Sequence, residues 1–140
     1  RKMGAVHTVN AAKTNPAEAI KELTGGGVHV SVDALGIATT CLNSIMSLRK
    51  RGRHLQIGLT TQAEKGFVSL PVDLIVAMEL QFIGTIGMQP RRYSAMLNMV
   101  ESGKLRPGEM VTNVFPIEKA SGVIEAMASF GTVGTTVIKW

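Results

Sequence analysis

Three apolar stretches of this chain run into glycine, at Gly36, at Gly58, and at Gly84 with Gly87. A strand ending on such a turn lets main chain approach a ligand closely, offering carbonyl acceptors and N–H donors that orient it without a demanded side chain. Taken singly, each glycine serves turn geometry alone; their repetition at strand ends points to a ligand crevice. Asp33 adds a carboxylate at the first strand end, either as a hydrogen-bond acceptor for a ligand or loop, or as a cap for the turn that follows. Cys41, His7, His29 and His54 are the soft metal-ligand types present. Their spacing matches no metal motif, and a tetrahedral site needs several ligands converging, so none is assigned to a metal.

The elements that must position these turns begin with Val28–Leu59, which reads as strand, glycine turn, helix and second strand. Val28, Val30 and Val32 alternate with His29, Ser31 and Asp33, predicting a strand with the β-branched residues on one face. Thr39 or Thr40 is expected to cap a helix with Leu42, Ile45, Met46 and Arg49 in one stripe, widened by Cys41 and Leu48. That helix is predicted to run to Gly52 as a left-handed cap, with Arg49, Lys50 and Arg51 in its last turn, where the negative end of the helix dipole favours cations. The basic run is thereby accounted for as a helix end, and a nucleic-acid footprint would need further cations on the same face.

Composition agrees with a compact domain holding a real core: 140 residues, 45% hydrophobic and 18% charged. The formal charge of +5 suits an anionic partner, but with 4% aromatic residues there is little to stack single-stranded bases on. The expectation is no nucleic acid and no membrane partner, since no apolar run reaches membrane-spanning length. One cysteine excludes an internal disulfide, and a cytoplasmic location is the default. The opening Arg1–Ala5 reads as the end of a helix, as if the chain were cut from something longer.

In order, His7–Asn10 is expected to be extended, and Asn15-Pro16-Ala17-Glu18 to start a helix carrying Ile20 and Leu23 inward until Gly25-Gly26-Gly27. Thr60–Gly66 is a loop at the carboxyl end of the Leu55–Gly58 strand. Pro71 opens a short helix through Leu74, Ile75 and Met78, followed by a strand over Leu80–Gly87. Pro90 begins a helix with Tyr93, Met96, Leu97 and Val100 on one face, ended by Gly103. Then come a turn at Leu105–Gly108, a strand Val111–Phe115, a helix Glu118–Ser129 and a strand Gly134–Trp140. The alternation argues for a parallel sheet with right-handed crossovers.

Several segments, in this order and spacing, are similar to the carboxyl-terminal part of medium-chain dehydrogenases. They are GAVHTVN at Gly4–Asn10, VDALG at Val32–Gly36, SLRKRGRHLQIGL at Ser47–Leu59, FIGTIGM at Phe82–Met88, GKL at Gly103–Leu105 and VFPIEKASGVIEAM at Val114–Met127. Within that family the chain most resembles the zinc-dependent alcohol dehydrogenase branch, over essentially its whole length.

The resemblance implies an α/β fold: an incomplete Rossmann-type, doubly wound parallel sheet over residues 1–104, without the GxGxxG unit, and a segment of the catalytic domain over residues 105–140. It implies hydride transfer between an alcohol or aldehyde and NAD or NADP, with zinc held by cysteines and a histidine that this chain does not contain. Carried over by position, the cofactor-binding residues are Ala34, Leu35 and Gly36 on the adenosine and ribose side, and Ile57, Gly58, Leu59, Thr85, Ile86 and Gly87 at the nicotinamide end. No catalytic and no metal-binding residue is carried over. Where some relatives place an arginine for the pyrophosphate, this chain has Gly134-Thr135-Thr136. A homo-oligomer, dimer or tetramer, joined through the Phe82–Gly87 edge is implied, while the Val28–Ala34 strand is expected to lie at an open edge that pairs with another copy. The alternatives are a zinc-free quinone or enoyl reductase sharing this half, and a non-catalytic nucleotide-binding or assembly module.

Overall fold

The computed structural model describes residues 1–127, 129 and 131–140. The chain divides into two compact units, Arg1–Gly87 and Met88–Trp140.

In the first unit, helix α1 spans Pro16–Thr24, capped by Asn15, whose Oδ1 accepts from the Ala17 and Glu18 N–H groups at 3.0 and 3.3 Å. It ends at Gly25, in the left-handed conformation. Ala17 is the buried contact of this helix; Ile20 is half-buried and Leu23 stays exposed, against the inward position expected for it. Strands β1 (Val28–Asp33), β2 (Leu48–Gln56) and β3 (Gln81–Gly84) form a parallel sheet in the order β1-β2-β3. Helix α2 (Ala38–Met46) crosses from β1 to β2, and α3 (Val72–Ala77) from β2 to β3. Both crossovers are the connections that parallel pairing requires.

Four expectations are corrected or completed here. The helix after Gly36 stops at Met46, and Leu48 is already strand, so Arg49, Lys50 and Arg51 lie on β2 rather than at a helix end. The reason is a bulge: β2 advances from Leu48 to Arg53 while β1 advances from Val28 to Val30. The extra residues turn outward at Arg51 (φ 63°), whose N–H donates to the Met78 carbonyl, and Lys50 and Arg51 pair with Glu79. Gly52 is needed inside the strand, where a Cβ would meet the Leu48 side chain at 2.8 Å. Second, the alternation of β1 holds, and the structure decides which face it buries: Ser31 and Asp33 are buried, and Val30 and Val32 are exposed. The helix α2 side takes the polar residues because they bond one another there. Third, His7–Asn10 forms no strand, as β1 lies at the sheet edge without a further neighbour to pair it. Fourth, α2 is preceded by Ile37, which offers no side-chain cap; the acceptor at this helix start is the Glu64 carboxylate, to which the Ala38 N–H donates at 3.2 Å.

The third strand is shorter than expected, its pairing ending at Gly84. The small core of this unit holds Ala17, Cys41, Ile45 and Leu48.

In the second unit, a short 3-10 turn at Pro90–Arg92 leads into α4 (Tyr93–Glu101), ended at Gly103 with φ 71°. Strands β4 (Val111–Pro116) and β5 (Thr135–Lys139) pair in parallel around α5 (Ala120–Met127). The helix expected to reach Ser129 passes Ala128, which lies outside the described residues. Thr112 Oγ1 donates to the Val133 carbonyl at 2.7 Å and anchors the approach to β5. The apolar residues expected to face inward from α4 and α5 remain open, with Leu97 and Ile124 more than half exposed. Among the described residues no helix is long and apolar enough to cross a membrane.

Candidate functional site

The carboxyl ends of β1, β2 and β3 lie side by side, and main-chain bonds lock the turns that follow them. The Ile57 and Gly58 N–H groups both donate to the Asp33 carbonyl, at 2.9 and 3.0 Å, and the Thr85 N–H donates to the Gln56 carbonyl at 3.0 Å. The three turns Ala34–Gly36, Ile57–Leu59 and Thr85–Gly87 thus form one row along the sheet edge.

The glycines of this row divide into two kinds. Gly36 (φ 95°) and Gly58 are pressed against each other: a Cβ on Gly36 would strike the Leu59 carbonyl and come within 2.8 Å of the Gly58 carbonyl carbon. A Cβ on Gly58 would strike the Gly36 nitrogen and the Leu35 carbonyl carbon. Here glycine serves the close approach of two turns to one another. Gly84 and Gly87 face open space, and Gly87 needs its residue type for φ 53°.

Asp33 organises the row from within. It is 3% exposed. Oδ1 accepts from the Leu35 N–H (3.0 Å), the Gly36 N–H (3.2 Å) and Thr40 Oγ1 (2.9 Å), while Oδ2 accepts from Gln56 Nε2 (2.9 Å). Burial by itself pushes this carboxyl up, but the bonds from Gln56, Gly36, Leu35 and Thr40 outweigh it and hold it below the usual carboxylate value. Of the two roles open in the sequence, Asp33 takes the turn cap and adds a bond across to β2.

Gln56 and His54 are polar residues of this row that periodicity did not single out. Gln56 Nε2 also donates to the Gly58 carbonyl at 2.8 Å, so its Oε1 faces His54 Nε2 at 2.9 Å. Both amide hydrogens are therefore spent on oxygen acceptors, which makes His54 Nε2 the donor and Nδ1 an acceptor for Ser31 and Ser44 Oγ at 3.2 and 3.1 Å. The imidazole is 1% exposed and its ring lies 4.8 Å from that of Phe82. The only advance signal was the placement of Gln56 two residues before a strand-end glycine, facing Asp33 in register.

A groove of about 320 Å³ opens beside the row, lined by Gly36, Cys41, Gln56, Gly58, Phe67 and Phe82 among others. Of the residues implied by resemblance, Gly36 and Gly58 line it; Ala34, Leu35, Ile57, Leu59, Thr85, Ile86 and Gly87 stand outside it. Burial and the Asp33 charge push the Cys41 thiol up, which makes it an unreactive wall. The loop at Thr60–Gly66 is held by Glu64, which bonds Thr61 as well as Ala38; these bonds hold its carboxyl below the usual value.

The row fits a nicotinamide-type carboxamide. Among the described residues, the Leu59, Ile86 and Gly87 N–H groups and the Ile57 and Thr85 carbonyls take no partner, and Leu59 and Ile86 are largely exposed. Such a ligand needs one acceptor and one donor, and both are present at the edge. A metal is not fitted: among the described residues no three His, Cys, Asp or Glu side chains gather closely enough to hold one.

Comparison with known proteins gives a consistent result. The chain is 27% identical over 139 residues to an NAD-dependent alcohol dehydrogenase of Sulfurisphaera tokodaii, covering 99% of this chain and 38% of that protein. It is 28% identical over 118 residues to a D-arabitol-phosphate dehydrogenase of Enterococcus avium, covering 84% and 33%. The crystal structure of the alcohol dehydrogenase from Aeropyrum pernix superposes with a TM-score of 0.82 at 24% identity, over 98% of this chain and 38% of that one. The parallel α/β arrangement is therefore shared with part of that enzyme, and the chain spans little more than a third of the relatives it matches. The family model described as zinc-binding dehydrogenase matches residues 1–102. With most of the sequence inside that model, this chain belongs to the zinc-binding dehydrogenase family.

Proposed function

We propose that this chain is the cofactor-binding part of an alcohol dehydrogenase that passes a hydride between an alcohol or aldehyde and NAD or NADP. The observation that carries the reading is the locked row of turns, Asp33 carbonyl to Ile57 and Gly58, and Gln56 carbonyl to Thr85, which leaves donors and acceptors unpaired along one edge. Ala34, Leu35 and Gly36 serve the adenosine and ribose side, and Ile57, Gly58, Leu59, Thr85, Ile86 and Gly87 the nicotinamide end. The bound nicotinamide supplies the hydride chemistry; this chain's residues orient it and fix its carboxamide. Residues 1–104 act as the cofactor domain and residues 105–140 as a return into the catalytic domain. Zinc belongs to ligands outside this chain. The protein works in the cytoplasm as a dimer or tetramer, joined through the edge strand β3, where Phe82 and Ile83 are exposed.

The test is to purify the protein as its host makes it, without chelators, and measure zinc content together with alcohol-dependent reduction of NAD. Bound zinc with turnover supports the reading. NADPH binding without zinc moves the assignment to the zinc-free reductases, and nucleotide binding or assembly with no turnover moves it to a non-catalytic module.

A further inference from the structure

We propose that Gln56 is a positioning residue whose amide direction sets the spacing of the Ala34–Gly36 and Ile57–Leu59 turns, and so the affinity for nicotinamide cofactor. The second half of this statement rests on the function proposed above; the first does not.

The argument is one of donors and acceptors. Gln56 Nε2 gives one hydrogen to Asp33 Oδ2, beside the first turn, and the other to the Gly58 carbonyl, within the second. Asp33 in turn receives the Leu35 and Gly36 N–H groups on its other oxygen. The amide therefore bridges one turn's organiser to the other turn's main chain. It cannot flip, because its Oε1 is held by the proton of His54 Nε2, and His54 is held by Ser31 and Ser44. The relay runs in one direction, from the Ser31 and Ser44 hydroxyls through an imidazole and an amide to a carboxylate. Gly36 and Gly58 leave no slack between the turns, so a change in the bridge is transmitted to both.

A carboxylate at position 56 would put an acceptor against two acceptors, Asp33 Oδ2 and the Gly58 carbonyl. One proton taken up between the two facing carboxyls restores the link to Asp33 and leaves the Gly58 carbonyl without its donor, so the bridge closes in part. The ionisable groups around this point are Asp33 on β1, His54 on β2 and Cys41 on α2.

The experiment compares wild type, Gln56→Met and Gln56→Glu in the protein as its host makes it. It reads amide hydrogen exchange at Leu35, Gly36, Ile57 and Gly58, and NADH affinity between pH 5 and 8. Gln56→Met keeps the length and removes both bonds; exchange at these four amides should rise at least about tenfold and NADH affinity fall about tenfold. Gln56→Glu should lose affinity at pH 8 and regain part of it on acidification with a one-proton slope relative to wild type. Unchanged exchange at the four amides in Gln56→Met overturns the positioning role, and unchanged affinity with loosened turns overturns its link to cofactor. Wild type that binds no NADH while Gln56→Met still loosens the turns supports the positioning role and removes the nucleotide reading instead.

Discussion

At Asp33 one carboxylate gathers two backbone N–H groups, a hydroxyl and an amide. Hydrogen bonds to a buried charge are the stronger kind, so Asp33→Asn, which turns one acceptor into a donor facing donors, is expected to lower unfolding stability by about 2 kcal/mol in a urea titration. The pH dependence has a definite sign. Because the folded carboxyl lies below its ordinary value, Asp33 stabilises above the unfolded value of about 3.9, and that contribution disappears as pH falls through the folded value. The difference between wild type and Asp33→Asn should be full at pH 7 and shrink below about pH 4. The glycines give a second contrast. Gly36→Ala combines φ 95° with collision against fixed main chain and should cost about 3 kcal/mol or more, whereas Gly87→Ala meets open space and should cost about 1 kcal/mol. Thermal unfolding of the two variants checks the order; equal losses would contradict the crossing of the turns.

Among the elements, α2 shows how far a cap can come from in sequence. Its first N–H, that of Ala38, donates to Glu64, on the loop that follows β2. Glu64→Ala should therefore free both the helix start and the Thr60–Gly66 loop, seen as faster limited proteolysis within that loop, with Glu64→Gln much milder because an acceptor remains. Much of the element order was legible: Asn15-Pro16 marked a helix start, Gly25 a left-handed end, and the valine alternation a strand. Local signals failed where a distant partner decided the outcome. Thr39 and Thr40 looked like caps, yet the cap is 26 residues away from Ala38. Arg49–Arg51 suited a helix end by charge, but pairing of β1 with β2 and the Glu79 contacts drew them into a bulged strand. In β1 the period was legible and the buried face was not, because Ser31 and Asp33 are buried by the bonds they make to His54 and Gln56, residues far along the chain.

For the whole molecule, the strand-end turns were legible as glycines in series, but the relay that sets them was not, since no sequence spacing joins Ser31, Ser44, His54, Gln56 and Asp33. The exposed edge of β1 and the exposed apolar residues of β3 agree with a chain that makes further contacts in its natural setting. The family match covers residues 1–102, and the row of turns proposed to take the cofactor lies within that span. The most direct measurement is an NMR titration of isotope-labelled protein with NADH, following backbone amides. Shifts concentrated at Ala34–Gly36, Ile57–Leu59 and Thr85–Gly87 are the predicted result. Saturable binding that leaves these nine amides unmoved, or no binding at all, would contradict the account.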